Sequence, residues 1–266
     1  MKKGASMAET IVIEKKDDIA LLTLNRPEAF NAFNLEMVNL LAESLISLSV
    51  DGEIRGLVIT GRGKAFCAGG DLKWIMSHPQ GPPAAFHELA ARFHQAVLEI
   101  RRMAKPVIAA INGMAAGGGF SLALACDFRV MERSARLRQA YTSNGLSIDG
   151  GGSFTLPRLV GAARAMEILA FDEPISADKA LDWGLVTRVV EDGQALETAL
   201  AMAEELSGKS LASFAWSKRL ITDAFDVSFE TQIEKERRAL SACAAHREGK
   251  EGLQAFLEKR KPSFKP

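Results

Sequence analysis

The spacing of hydrophobic positions changes several times along the chain, and each change marks an element. Residues 11–14 and 19–24 are β-branched and apolar and flank the polar Lys15-Lys16-Asp17-Asp18, which predicts a hairpin ending at the turn Asn25-Arg26-Pro27. From Asn34 the period lengthens. Met37, Leu40, Leu41, Leu45 and Leu48 share one face, and Asn34 stands where a cap belongs, so a helix is predicted to about Ser49. A third strand is predicted over 56–60. It runs into the glycine-rich loop 61–72, which enters a helix-like segment. Gly81-Pro82-Pro83 reads as a break, and 84–103 as a long helix.

The stretch 105–121 repeats this design. Residues 107–111 read as a buried strand, Asn112-Gly113 ends it, and Gly117, Gly118 and Gly119 feed the apolar helix-like run 120–126. Strand-like stretches follow at 127–131 and 186–190, with helical runs at 156–170 and 176–183. Beyond about residue 193 the pattern is helical, with breaks near Gly208 and Gly249. The sum is an α/β chain: a flexible N-terminal segment over 1–10, a core over 11–195 and a helical C-terminal region over 196–266.

Composition narrows the partners. Lys plus Arg and Asp plus Glu balance at 33 each, which argues against nucleic acid or an anionic membrane as the main partner. Cys67, Cys126 and Cys243 are odd in number and widely spaced, so they suggest neither a disulfide framework nor a metal site, and a cytoplasmic setting fits best. Residues 1–7 are basic but no apolar stretch follows, which predicts no signal peptide. The uncharged run 106–126 is long enough for a membrane span. Its glycines, its asparagine and its two differently patterned halves predict a buried passage through the core instead.

Three glycines on one turn allow positive φ or a close approach to the backbone, and the free N–H groups of the helix start beside them favour a developing negative charge. A tight packing turn is the alternative. Other motifs fail. Gly208-Lys209-Ser210 imitates the end of a phosphate loop, but residue 203 is Ala where that loop needs Gly. Gly119-Phe120-Ser121-Leu122-Ala123 imitates a nucleophile elbow, yet the only later histidine, His246, lies in a polar helical stretch. A small residue making room for substrate is the better reading of Ser121.

Four motifs in order carry a resemblance: Lys64 to Leu72 (KAFCAGGDL), Lys105 to Gly113 (KPVIAAING) with Gly117 to Gly119, Gly150-Gly151-Gly152-Ser153 with Leu156 to Gly161 (LPRLVG), and Ala180 with Gly184-Leu185-Val186. Together they resemble the enoyl-CoA hydratase/isomerase (crotonase) superfamily over nearly the whole chain. The resemblance implies a spiral of ββα units, a helical C-terminal region that makes trimers or dimers of trimers, and an acyl-CoA thioester substrate. It implies an oxyanion hole from the N–H groups of Ala68 and Gly118, and no cofactor, since CoA arrives with the substrate. It also points to Arg26 and the loop of Lys64, Ala65, Phe66, Asp71 and Leu72 as bordering the nucleotide, with Gly117 and Ser121 near the acyl group. A basic side chain from a neighbour's C-terminal helix often meets the phosphates in such proteins. Lys259 and Lys261 are candidates, against a solvated helix end. Phe66, Trp74, Phe120 and Phe154 are candidate pocket aromatics, against simple core packing.

The motifs do not fix the reaction. Hydratases of the superfamily use two glutamates, and the matching positions here are Ser121 and Tyr141, neither of which can hold water as a carboxylate base. Asp149 instead matches the catalytic aspartate of several isomerases and of the halobenzoyl-CoA dehalogenases, although an Asp before a glycine run also suits a helix cap. The resemblance places Tyr141 where the dehalogenases have tryptophan and His94 where they have histidine. Double-bond isomerisation with Asp149 as general base ranks first. The alternatives are hydration of an unusual substrate, dehalogenation or hydrolysis with Asp149 as nucleophile and His94 assisting, and acyl-CoA binding without chemistry.

Overall fold

The computed structural model describes residues 9–265, so most of the predicted flexible segment 1–10, and the whole of 1–7, lies outside the described residues. The chain opens with a hairpin of β1 (Ile11–Lys16) and β2 (Ile19–Leu24), whose turn is only Asp17-Asp18, with Asp17 at φ 52°. β1 extends into Lys15 and Lys16 because it is an edge strand whose outer residues face water. α1 (Leu35–Val50) follows, capped as expected by Asn34, whose side chain accepts from the Met37 N–H at 3.0 Å.

Three units then share one plan. β3 (Gly56–Gly61) and β4 (Ala65–Cys67) lead to α2 (Leu72–Met76) and α3 (Gly81–Arg102). β5 (Val107–Ile111) and β6 (Met114–Ala116) lead to α4 (Gly118–Ala125), and β7 (Phe128–Glu132) and β8 (Arg136–Arg138) to α5 (Gly152–Phe171). The first strand of each unit joins a six-stranded sheet and the second joins a four-stranded one. β9 (Ile175–Ser176), α6 (Ala177–Asp182), β10 (Arg188–Val190) and α7 (Ala195–Ser207) complete the core. The orders are β1-β2-β3-β5-β7-β10 and β4-β6-β8-β9. This is the α/β spiral of ββα units that the resemblance implied.

β3 and β5 are buried at every residue because both faces of the large sheet are covered. One face packs on Leu41, Leu45, Phe93, Ile100 and their neighbours from α1 and α3; the other packs Val58, Ile108, Ala110 and Val130 on Ala199, Met202 and Ala203 of α7. α7 is therefore part of the layered core. The segment that leaves it begins with α8 (Leu211–Asp223), followed by α9 (Phe229–Ala245) and α10 (Arg247–Leu257). No residue of α8 is buried, and its tie to the core is Lys218, which pairs with Asp127 at 2.8 Å and donates to the Ile100 carbonyl at 2.7 Å.

Two expected breaks move. Pro82 and Pro83 sit in the first turn of α3, where no N–H is needed, so the Gly-Pro-Pro stretch starts the helix. The C-terminal break falls at His246, while Gly249 lies inside α10 because the Cys243 carbonyl occupies the place of its missing side chain. Residues 106–126 divide among β5, β6 and α4, and no helix among the described residues is long and apolar enough to cross a membrane.

Candidate active site

The loop after β4 is built by a small bridge to the chain before α1. Phe33 N–H donates to the Gly69 carbonyl at 2.7 Å and Asp71 N–H to the Phe33 carbonyl at 2.9 Å, while Ala68 N–H donates to the Phe30 carbonyl at 3.0 Å. This bears on the expected donor at Ala68. The Ala68 N–H is already engaged, whereas the Gly70 N–H has no partner among the described residues and Gly70 lines a largely apolar cavity. Gly118 lines it too, and as the first residue of α4 its N–H has no partner within the helix.

The two glycine turns press on each other. A Cβ on Gly69, at φ 94°, would lie 2.9 Å from the Ala116 carbonyl oxygen and 3.2 Å from the Gly118 nitrogen. Bulk there would cover the N–H of Gly118. Asn31, absent from the expected set, holds the arrangement: fully buried at φ 57°, it donates to the Ala65 carbonyl at 2.8 Å and accepts from the Arg26 N–H at 2.9 Å. Arg26 pairs with Asp71 at 3.0 Å and donates to the Ala32 carbonyl, so its guanidinium is bound into the loop. Asp71 in turn caps α2 through the N–H groups of Lys73 and Trp74.

Asp149 comes from the long loop between β8 and α5. Its carboxylate lies 2.7 Å from Nε2 of His94 on α3, so it does not cap α5, whose N-cap is Gly151 with no side-chain bond. Ser121, fully buried on α4, donates from Oγ to the Asp149 carbonyl at 2.6 Å and lies 3.3 Å from the Tyr141 hydroxyl. Burial pushes the Tyr141 hydroxyl well above the usual tyrosine range, against the opposing hydrogen bond from Ser121, so it stays neutral. The structure thus brings Asp149, His94, Ser121 and Tyr141 together.

Support for Tyr141 comes from two further residues with no sequence signal of their own. Gln139, fully buried, accepts from the Tyr141 N–H at 3.1 Å. Asp172, buried at φ 48° after α5, accepts from the N–H groups of Ala140 at 2.8 Å and Ser143 at 3.3 Å and pairs with Arg138 at 3.4 Å.

Between these groups lies a cavity of about 330 Å³ whose walls are mainly Phe33, Phe86, Leu89, Phe93, Tyr141 and Leu146; Asp149 is the one carboxylate among its lining residues. The remaining expected residues lie elsewhere. Phe66 and Phe120 are fully buried in the core, Trp74 packs at its edge, and Phe154 lies under the Arg158 guanidinium at 3.3 Å. Ala65 and Gly117 are buried behind the glycine turns, and Lys64, Leu72, Lys259 and Lys261 are exposed. Cys67 is no nucleophile: burial pushes its thiol up to about 12, against the opposing Gly69 N–H.

Comparison with known proteins agrees with this fold. The sequence profile of the enoyl-CoA hydratase/isomerase family matches residues 14–266. The chain is 38% identical to the 1,2-epoxyphenylacetyl-CoA isomerase of Escherichia coli, covering 97% of this chain and 99% of the relative. It is 34% identical to the crotonyl-CoA hydratase of Syntrophomonas wolfei, covering 96% and 98%. A crystal structure of an enoyl-CoA hydratase from Polaromonas sp. JS666 superposes with a TM-score of 0.91 at 40% identity, covering 96% of this chain and 99% of that one. With its spiral core, paired glycine turns and near full-length matches, the chain belongs to the enoyl-CoA hydratase/isomerase family of the crotonase superfamily of enzymes.

Proposed function

We propose that the protein moves a double bond within an unsaturated acyl-CoA thioester, with Asp149 as the general base. The observation that carries this reading is that Asp149 is the one carboxylate in a cavity that also holds Gly70 and Gly118. Their N–H groups would receive the thioester oxygen as it becomes an enolate, and each such donor is worth about 3 kcal/mol in the transition state. Asp149 takes a proton from one carbon and the same carboxyl returns it at the other end of the dienolate, so no atom is gained or lost. His94, at 2.7 Å, holds the carboxylate in place.

Hydration needs a second carboxylate to hold water, and Ser121 and Tyr141 stand where the family's hydratases have theirs. An isomerase name on the E. coli relative is in keeping with this, although the Syntrophomonas relative is named a hydratase. The His94–Asp149 contact favours one second reading. Asp149 attacks an aryl carbon, halide leaves with the bonding pair, and water activated by His94 cleaves the resulting aryl ester at its carbonyl carbon, releasing the phenol and restoring Asp149.

Assembly as a trimer or a dimer of trimers belongs to the same proposal. It is supported by Phe225, Phe229 and Leu240 of the C-terminal region, each at least 70% exposed in the single chain.

The test is incubation with 2-enoyl-, 3-enoyl- and halogenated aryl-CoA thioesters, read by mass and absorbance. Unchanged mass with a moved double bond is expected, and Asp149→Asn should abolish it while thioester binding persists. A mass gain of water overturns the isomerase reading, released halide establishes the second one, and turnover surviving in Asp149→Asn removes Asp149 as the base.

A further inference from the structure

The walls of the cavity identify the kind of acyl group it takes. Four of its lining residues are aromatic, and they come from three places in the chain: Phe33 before α1, Phe86 and Phe93 on α3, and Tyr141 on the loop after β8. Phe86, Leu89 and Phe93 follow one another at helical spacing, so α3 presents them as a continuous wall.

Phe33 and Phe93 form a fixed end to the space. They are 2% and 3% exposed, and their rings meet at 5.0 Å between centroids with a 39° tilt. Each ring also packs closely on a glycine. A Cβ on Gly118 would lie 3.1 Å from the Phe33 ring, and one on Gly150 would collide with the Phe93 ring.

Volume sets the other bound. At about 330 Å³ the cavity is near the small end of ligand sites, which run upward from roughly 300 Å³. An apolar cavity of roughly 150 Å³ is enough for benzene. One ring and its link to the thioester therefore fit.

From these observations we propose that the acyl group is a single planar ring, aromatic or conjugated, joined to the thioester by a short link. This rests on reading the cavity as the acyl site of the proposed reaction, but not on what Asp149 does there. Offset or edge-on contact with the surrounding rings adds attraction beyond the area buried, which an alkyl chain of equal area lacks.

Binding of unreactive thioesters tests this without turnover. Phenylacetyl-CoA, benzoyl-CoA, butanoyl-CoA, octanoyl-CoA and free CoA would be titrated calorimetrically into the wild type and Asp149→Asn. The expected result is phenylacetyl-CoA or benzoyl-CoA binding about tenfold tighter than octanoyl-CoA, the ratio that about 1.4 kcal/mol produces, in both proteins. Phe86→Ala, at a half-buried position, should reduce the ratio several-fold. Octanoyl-CoA binding tighter than both ring thioesters, or equal affinities for all acyl groups, overturns the proposal. Because binding and catalysis are read separately, loss of the ring preference leaves the Asp149 assignment standing, and turnover by Asp149→Asn leaves the ring preference standing.

Discussion

Ser121 and Asp149 are joined side chain to main chain: the buried Ser121 hydroxyl donates to the Asp149 carbonyl at 2.6 Å. Where the hydratases of the family carry a glutamate, this chain has a peg that fixes the loop bearing its own carboxylate. There is no room for both. A Cβ on Gly150 would already lie 2.9 Å from the Ser121 Cβ, so the loop rests directly on the serine.

Ser121→Ala should lower stability by about 1–3 kcal/mol, because a buried carbonyl loses its donor. Turnover should fall as Asp149 loosens. Ser121→Glu should destabilise further by overpacking and should add no hydratase activity. Thermal unfolding and the product assay check both, and hydration by Ser121→Glu would show that the loop yields to a carboxylate.

Gly69→Ala should cut kcat by about a hundredfold while altering KM much less. The added methyl would sit 3.2 Å from the Gly118 nitrogen, in a backbone conformation that L side chains avoid. Circular dichroism should report an intact fold, and steady-state kinetics on a reactive thioester gives the split.

Acid should expose the Arg26–Asp71 clamp. Burial pushes the Asp71 carboxyl up, but the hydrogen bond from Arg26 and the N–H groups of Trp74 and Lys73 outweigh it and hold the carboxyl below its ordinary 3.8. A group held lower in the folded chain contributes stability that is complete above the unfolded value and is lost as pH falls through the folded one. Wild type should therefore lose stability more steeply below about pH 4 than Asp71→Ala does. At neutral pH that variant should be less stable by roughly 2 kcal/mol, having lost a cap and an ion pair. Denaturant melts across pH 3–7 measure both.

Phe229→Ser should reduce the assembly to smaller species while leaving the chain folded. Phe229 is 73% exposed at the start of α9 and supports no contact in the core. Analytical ultracentrifugation of wild type and variant provides the comparison, and a monomeric wild type would refute the trimer.

The longer elements and the glycine turns were legible because their signals are local: Asn34 before a helical face, an apolar run before Asn112-Gly113. The short strands β4, β6 and β8 were not, since three residues carry no periodicity and are ordered only by pairing with one another. The same limit applies to the proposed donor. Ala68 and Gly70 stand two apart in one motif, and which N–H is free depends on Phe30 and Phe33, far upstream. Asn31, Gln139 and Asp172 were missed for a related reason: a buried amide or carboxylate that serves backbone groups resembles any loop residue until those groups are in place.

The donors proposed at Gly70 and Gly118 belong to the main chain, so no side-chain truncation can remove them. An alanine scan would pass over this half of the apparatus, or report it as steric damage. Isotope labelling reaches it directly. The amide of Ala68, bonded to Phe30, should exchange slowly with deuterated solvent, and that of Gly70 quickly until a thioester analogue occupies the cavity. Binding at the proposed donors would then be visible as the protection of individual glycine protons.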